Sequence, residues 1–416
     1  MTRLSAVDAF FVAYQEAAGI LMSVGAEARL VGQVTRAEVV AAVEGALATW
    51  PVLGCGLDQP VLGLRWVPRF SAAELVRDAA GALDLWRNEP IDPFHAPPFQ
   101  VRFSAEGRHT HLAFRAHHAA LDGQALFTVA AAVLRLLAAG HGGEAPPLVP
   151  VPTPPRALVG WRALLAGARL RDLLGFTRWL KREAKAGRSA RLALAAVAPG
   201  PTGVCATQVV RARVEARAQT LGVSLATLGA SAWVQAIHRF NRRRGGAKGP
   251  ISLEIPVSFR PPGCTTPGNL ISPITVFADP EQPFEALATG LHQRLRAALK
   301  RKLHHAVPLF SRPGAYLPWG LFRRVAVTPT STGFATSHFT LVDTPGDLAG
   351  EVDRLSGGRL RLVEKAVWTP VCLAMGAAAL LVPWGDHLQV TITHRRSGLD
   401  DAAAQELLDL LVEGLG

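Results

Sequence analysis

Residues 117–123 read His-His-Ala-Ala-Leu-Asp-Gly, which places a base, an acid and a turn-forming glycine within one short segment. An imidazole with an ordinary pKa of about 6.5 can accept a proton from a hydroxyl or an amine at neutral pH. Because successive side chains of an extended segment point to opposite faces, only one of His117 and His118 can enter a given cavity. Asp122 can hold the loop through a hydrogen bond or an ion pair, and Gly123 permits an unusual backbone angle or a close approach of substrate. The chemistry predicted for this segment is general-base catalysis.

The flanks of the segment predict the elements that hold it. Leu112, Phe114 and Ala116 alternate with other residues, which is typical of a strand with one buried face. Residues 123–139 form a long apolar run that Asp122 is placed to cap as a helix. A purely structural interpretation stands beside the catalytic one, with a helix cap, a turn glycine and two histidines as satisfied polar groups. The presence of all these residue types in one segment favours catalysis.

Local patterns elsewhere predict an α/β (α+β) chain. Thr35 and Glu38 have the spacing of a capping box, and the helix that they open should stop at Pro51. Alternating apolar residues from Ile251 to Val257 predict a strand that leads directly to Arg260. Further predicted elements are a helix over 220–240, a strand over 388–392 and a closing helix over 399–415. Two mixed lobes, each a sheet with helices against it, follow from this order.

Length and charge predict two domains joined by a linker. The 416 residues exceed one ordinary core. We place an N-terminal lobe at 1–145, a Pro-rich linker at 146–160 and a C-terminal lobe at 161–416. The net charge is +12, and residues 156–191 hold ten basic against two acidic side chains. A basic amphipathic helix within 161–191 would suit an anionic membrane surface or an acidic carrier protein, and equally an ordinary solvated face.

Several classes of function lack their signatures. The four cysteines form no Cys-x-x-Cys pair, so we expect no metal site and a cytoplasmic protein. We see no export signal and no apolar run of the roughly 18 residues that span a bilayer. No motif for nucleic-acid binding, a serine nucleophile, nucleotide phosphates or nicotinamide accompanies the charge. His304 and His305 repeat the doublet without a following Asp-Gly, and we expect them to be exposed.

The heptad resembles the His-His-x-x-x-Asp-Gly signature of the CoA-dependent acyltransferase superfamily, which includes condensation domains, wax ester synthase/diacylglycerol acyltransferases and chloramphenicol acetyltransferase. Weaker resemblances extend over most of the chain. Residues 4–11 are similar to the opening of the wax ester synthase group, and Trp50 stands where the first helix of the family usually ends in a histidine. Residues 256–261, followed by Gly268 and Asn269, resemble a strand and loop of the second lobe. Residues 337–340 stand where the family often has Ser-Asn-x-Gly and depart from it at two positions.

The resemblance implies a fold and a set of residue roles. The fold is two chloramphenicol-acetyltransferase-like lobes that form a V, with the active site in a central channel. His118 would be the general base and His117 would support the loop. Asp122 would be structural and would pair with Arg260. Asn269, Ser337 and His338 are candidate channel residues.

The function implied is acyl transfer from a thioester, carried by CoA or an acyl carrier protein, to a hydroxyl acceptor in bacterial lipid or secondary metabolism. No covalent intermediate is expected, because the motif supplies a base and no nucleophile. No cofactor is expected, since the acyl-CoA or phosphopantetheine thioester is a substrate. One alternative is a free-standing condensation enzyme that forms an amide from carrier-bound substrates. Another is a catalytically degenerate protein that binds an acyl ligand or a partner.

Overall fold

The computed structural model describes residues 2–79, 83–142, 155–166, 172, 174–175, 177–178, 189–330, 335–342, 347–373 and 375–416. Most of the predicted linker at 146–160 falls outside the described residues. So does most of the predicted basic helix within 161–191. These two predictions therefore stay predictions.

The described helices alternate with strands along the chain, as the local patterns predict. The helices are α1 (Ala6–Ala18), α2 (Arg36–Thr49), α3 (Ala72–Leu75), α4 (Leu83–Arg87), α5 (Gly123–Gly140), α6 (Pro155–Val159), α7 (Trp161–Leu165), α8 (Arg211–Thr220), α9 (Leu225–Arg243), α10 (Phe284–Lys300), α11 (Ala306–Ser311), α12 (Trp319–Thr330), α13 (Leu348–Leu355) and α14 (Asp401–Leu415). The strands are β1 (Thr2–Arg3), β2 (Ser23–Val31), β3 (Cys55–Asp58), β4 (Arg65–Pro68), β5 (Val76–Asp78), β6 (Phe99–Glu106), β7 (His109–His117), β8 (Thr202–Val210), β9 (Ile251–Ser258), β10 (Ile271–Ala278), β11 (Ser337–Leu341), β12 (Arg361–Trp368), β13 (Ala377–Trp384) and β14 (His387–Arg395).

The first lobe is built on a sheet with the strand order β12-β2-β7-β6-β5 in the described chain. Strand β7 carries the heptad at its end and lies between β2 and β6. Leu112, Phe114 and Ala116 are buried on one face of β7, in the same core as the helices α2 and α5. The predicted strand, the capping box at Thr35 and Glu38, and the capped helix after Asp122 are all confirmed.

The second lobe is built on a sheet with the order β10-β9-β11-β13-β14-β8. The helices α9, α10 and α14 pack on one face of it and form a separate core. The predicted mixed fold with two lobes is thus confirmed. The helix expected over 220–240 begins only at Leu225, because Leu221 and Gly222 end α8 and Ser224 caps α9 through the backbone N–H of Thr227.

Strand β12 lies in the lobe opposite to the one that the predicted boundary at 146–160 assigns to it. Residues 361–368 pair with β2 and therefore lie in the sheet of the first lobe. Leu360, Leu362 and Val367 are buried in the core of the first lobe, as is Val352 of α13. A boundary placed between 145 and 161 misses this crossover, because the sequence signals of a strand do not show which sheet it joins.

Helix α5 corrects the expectation about apolar runs. Its 18 residues are long and apolar enough, by length and composition, to cross a membrane. In the fold 61% of this stretch is buried against the rest of the protein, and α5 packs on α2, α13 and β2. This burial marks α5 as a core helix of the first lobe.

We predict that Gly25→Ala destabilises the protein by about 2–3 kcal/mol, the cost of an overpacked core. Gly25 lies opposite Trp368 in the β2–β12 ladder, and a Cβ at this position would come within 1.8 Å of the indole Cζ2 atom. Gly290→Ala is the matched control. Gly290 lies inside α10 with no atom near its added Cβ, and an alanine there should stabilise the helix by about 0.5–1 kcal/mol. Urea unfolding measures both, and equal effects would contradict the tight β12 crossover.

Candidate functional site

His118 follows the last residue of β7 and is fixed from two sides. Its backbone N–H donates to the carbonyl oxygen of Met22, with an N···O distance of 2.7 Å. Its ring stacks on Phe11 of α1, with the ring centroids 4.2 Å apart and the planes at 14°. The residue is 7% exposed. The imidazole therefore has one defined orientation before any substrate binds.

Burial sets the protonation state of His118. Loss of solvation lowers its pKa below the usual value, and the positive charge of His338 lowers it further. The backbone of His118 itself and the carboxylates of Asp122 and Glu254 act in the opposite direction, without reversing the shift. The Nδ1 atom is buried and has no hydrogen-bond partner in another residue of the described chain. At neutral pH this side chain is therefore a neutral imidazole, which is the form that accepts a proton.

His117 lies on the protein side of the loop. It is 0% exposed, and its Nδ1 accepts a hydrogen bond from the backbone N–H of Ala119 at 3.1 Å. Its carbonyl oxygen accepts from the N–H of Ala120 at 2.8 Å. Burial lowers the pKa of His117 to about 3. His117 is thus neutral, with the ring proton on Nε2, and it shapes the turn that carries His118.

Asp122 joins the two lobes through a buried cluster of hydrogen bonds. One carboxylate oxygen accepts from the N–H of Ala125 at 2.8 Å and caps α5. The other accepts from Arg260 Nη1 at 2.8 Å and from the N–H of Leu270 at 2.7 Å. The side chains of Asp122 and Arg260 are 0% and 5% exposed. The two residues that the family resemblance pairs therefore lie in direct contact across the lobes.

The guanidinium of Arg260 also organises its own loop. Its Nε donates to the carbonyl oxygen of Thr266 at 2.9 Å, and Nη2 donates to that of Gly268 at 2.8 Å. The same Gly268 oxygen accepts from the N–H of Asp122 at 3.2 Å. The loop that follows β9 is thereby fastened to the loop that carries His118.

Gly123 differs from the expectation of an unusual backbone angle. It is the first residue of α5 and is not among the glycines with positive φ. A Cβ at Gly123 would make an ordinary van der Waals contact with Val342 Cγ2, at 4.0 Å. The expectation of a close approach of substrate stays a prediction.

A cavity of about 1010 Å³ lies between the lobes and reaches the loop that carries His118. Ala119 and Ala120, which directly follow His118, line it together with Trp50, Phe259 and Asn269. Most other lining residues are apolar. Asp8 is a polar exception. Burial raises the pKa of Asp8 to about 7, although hydrogen bonds from Ser5 act against this shift. The cavity can therefore hold an apolar molecule with one or more polar groups.

The two candidate channel residues on β11 occupy different environments. Ser337 is 1% exposed, and its hydroxyl donates to the carbonyl oxygen of Ser252 at 3.1 Å. Its placement in the channel is wrong, because the alternation of β11 turns it toward the interior of the second lobe. His338 faces the other way, and its Nδ1 lies 3.3 Å from Glu254 Oε1.

Three features of the site are absent from the sequence prediction. The first is the stacking of Phe11, for which the similarity of residues 4–11 to a family opening was the available signal. The second is Glu254, which alternates with apolar residues on β9 and could have been noticed as a charge on a buried strand. The third is the position of His304 and His305: His305 is 9% exposed, and both rings lie against the cavity-lining Phe259. The expectation of an exposed doublet is therefore wrong for His305.

No group of histidine, cysteine or acidic side chains in the described part of the chain is arranged to hold a metal ion. The residues that meet at the catalytic loop are imidazoles, the Asp122–Arg260 pair and backbone amides. Their arrangement suits proton transfer.

Comparison with known proteins shows the fold. No family model matches the sequence, and no curated protein matches it. The structure is similar to the starter condensation domain of rhizomide synthetase RzmA in complex with C8-CoA (TM-score 0.71, 16% identity, 100% of this chain and 95% of that chain). It is similar to the SgcC5 protein from Streptomyces globisporus in complex with a naphthyl ethanediol and sucrose (TM-score 0.68, 17% identity, 99% and 98%).

A third similar structure is the first condensation domain of the calcium-dependent antibiotic synthetase, in complex with a substrate analogue (TM-score 0.70, 15% identity, 100% of this chain and 95% of that chain). The chain thus has the condensation-domain fold over its whole length.

We predict that Asp122→Ala lowers the free energy of unfolding by about 3–5 kcal/mol, because it leaves the buried Arg260 guanidinium without its partner. The matched control is Glu364→Gln. It breaks the exposed ion pair of Glu364 with Arg29, whose side chains are 66% and 39% exposed, and should change stability by less than about 1 kcal/mol. Thermal and chemical unfolding measure both variants. An unchanged melting temperature for Asp122→Ala would contradict the role of this pair in joining the lobes.

Proposed function

We propose that the protein transfers an acyl group from a thioester to a hydroxyl, with His118 as the general base. The observation that carries the proposal is the state of His118. It is a neutral imidazole, held by Phe11 and by the Met22 carbonyl, on a loop that borders the cavity between the lobes. A base held in this manner contributes about a hundredfold to ten-thousandfold in rate.

The reaction needs no group beyond the chain and its two substrates. His118 takes the proton of the acceptor hydroxyl as its oxygen attacks the thioester carbonyl carbon. The tetrahedral intermediate then loses the C–S bond, and the proton ends on the departing sulfur. Orientation by the cavity supplies the second part of catalysis, because it turns a reaction between two dissolved molecules into one within a complex.

The donor and acceptor classes are supported by the molecules bound in the similar structures. The rhizomide synthetase domain is described with C8-CoA, which supports an acyl-CoA donor and a cytoplasmic reaction. SgcC5 is described with an aromatic diol, which supports a hydroxyl acceptor. The mostly apolar cavity, with Asp8 and Asn269 as polar groups, fits an apolar acceptor that carries hydroxyls. No cofactor enters this proposal.

Amide formation between carrier-bound substrates is the second candidate. Two similar structures are the starter condensation domain of rhizomide synthetase and the first condensation domain of the calcium-dependent antibiotic synthetase, which supports it. The excess of positive charge over residues 156–191 would suit an acidic carrier protein or an anionic membrane surface. A binding role without turnover is the third candidate, and it is supported by a similar X-domain that is described in complex with OxyB.

We predict that wild-type protein forms esters when it is incubated with acyl-CoA thioesters and apolar alcohols. His118→Ala should lower this rate by about a hundredfold to ten-thousandfold, since the base is lost. Mass spectrometry identifies the product, and thiol release gives the rate. Parallel incubations with amines separate ester from amide formation. The control is His111→Ala on the same strand β7, which should leave the rate unchanged. Full activity of a folded His118→Ala protein would show that His118 is not the general base.

We predict that the acidic limb of the activity lies below about pH 6.5, the ordinary pKa of histidine. The base works in its unprotonated form, and burial lowers the pKa of His118. The acidic limb therefore lies on the acid side of an ordinary histidine. The measurement is kcat/KM against pH, on protein shown to be folded at each pH. A limb above the ordinary value would contradict a buried imidazole as the base.

A further inference from the structure

A second imidazole–carboxylate pair stands on the second lobe. Strands β9 and β11 are parallel neighbours, and His338 lies opposite Glu254 in their ladder. The Nδ1 atom of His338 is 3.3 Å from Glu254 Oε1. The side chains are 15% and 25% exposed. The carboxylate therefore fixes one ring nitrogen and leaves Nε2 for another partner.

The pair faces the first lobe. On β13, Leu380 and Val382 belong to the core of the first lobe, whereas Ala379 and Leu381 belong to the core of the second. His338 lies opposite Ala378, which has the same parity as Leu380. Because residues directly opposite in a ladder share a face, the His338 side chain points toward the first lobe.

His118 lies within electrostatic reach of this pair. The charges of both His338 and Glu254 act on His118 across the space between the lobes, in opposite directions. Each lobe therefore presents one of these two histidines toward the other lobe. One belongs to the heptad, and the other stands at a position where the resembling family often has an asparagine.

The two rings have different surroundings. His118 lies against the Phe11 ring and has no ion pair with a carboxylate in the described chain, and its burial disfavours the charged form. His338 has the carboxylate of Glu254 3.3 Å from its Nδ1 atom. When the ring of His338 carries both protons, Nδ1–H can donate to Glu254 and the Nε2 proton remains to be given to another group.

We propose that His338, oriented by Glu254, is a second catalytic residue that gives its Nε2 proton to the departing thiolate. This inference rests on the proposed acyl transfer. As the C–S bond breaks, the electron pair stays on sulfur and the His338 proton forms the S–H bond. The proton that His118 took from the acceptor hydroxyl then returns to His338 through solvent. The net change moves the hydroxyl proton to the released thiol and leaves both rings as they began.

A merely structural function explains the pair less well. Strands β9 and β11 are already joined by their ladder and by several further hydrogen bonds to Ser252. Among these, Thr336 N–H donates to Ser252 Oγ at 2.8 Å, and Ser337 Oγ donates to the Ser252 carbonyl oxygen. The junction of the two strands therefore does not depend on the His338–Glu254 pair alone.

The test compares two thioester donors that differ in their leaving group. An alkyl thiolate, as in CoA, gains from protonation as it leaves, whereas a nitrophenyl thiolate is stable without a proton. We predict that His338→Asn lowers kcat with the CoA thioester by about a hundredfold and leaves kcat with the nitrophenyl thioester close to wild type. Glu254→Gln should give a smaller loss with the same dependence on the leaving group.

The control variant is His387→Asn. His387 forms a comparable pair with Asp386, at 2.6 Å, in the turn between β13 and β14, and it should change neither rate. Melting temperatures show whether each variant is folded. If His338→Asn does not fold, Glu254→Gln is used to compare the two thioester donors in its place.

Equal losses with both donors, or no loss with the CoA thioester, would overturn the assignment of His338 as the acid. A wild-type protein that transfers the acyl group from neither donor would overturn the proposed function and this inference with it. His118→Ala distinguishes the proposed acyl transfer from the assignment of His338 as the acid, because loss of the base should greatly lower transfer from both donors.

Discussion

The buried contact between Asp122 and Arg260 is the interaction on which the site depends. One carboxylate caps α5, accepts from the guanidinium and accepts from the backbone of Leu270. Ala125 lies in α5, whereas Arg260 and Leu270 lie in the loop between β9 and β10, so the loop that carries His118 can take only the path that satisfies partners in both lobes. Burying a charge without its partner would raise the free energy of the folded state. This penalty keeps the two lobes in one relative position at the point where they meet. The crevice is therefore a consequence of charge pairing as much as of apolar packing.

The two histidines that the lobes present toward each other have different surroundings. His118 is held between an aromatic ring and the backbone, an environment that favours the neutral ring. His338 lies beside the carboxylate of Glu254. The proposed proton acceptor and the proposed proton donor are thus the same residue type placed in two different environments. This asymmetry comes from the strands β7 and β11, which belong to different lobes.

Local features of the structure could be predicted from the sequence, and non-local ones could not. The heptad, the cap at Asp122 and the alternation of β7 depend on residues within a few positions of one another, so their patterns are visible in the chain. The pairing of Glu254 with His338 joins residues 84 positions apart, and no local pattern reports it. The same reason explains the wrong placement of Ser337, since the outward face of a strand depends on what packs against it. Arg260 could be paired with Asp122 only through the family resemblance.

Strand β12 has a consequence for how this chain reaches its folded state. Its residues 361–368 complete a sheet whose neighbouring strand is formed by residues 23–31. During synthesis the sheet of the first lobe therefore stays incomplete. One edge of β2 has no partner until β12 has left the ribosome, late in translation. Contacts of such long sequence separation slow folding, and an unpaired strand edge invites association with other chains. The two lobes are consequently partners in one cooperative folding event, and a fragment that ends before β12 would lack an edge of its own sheet.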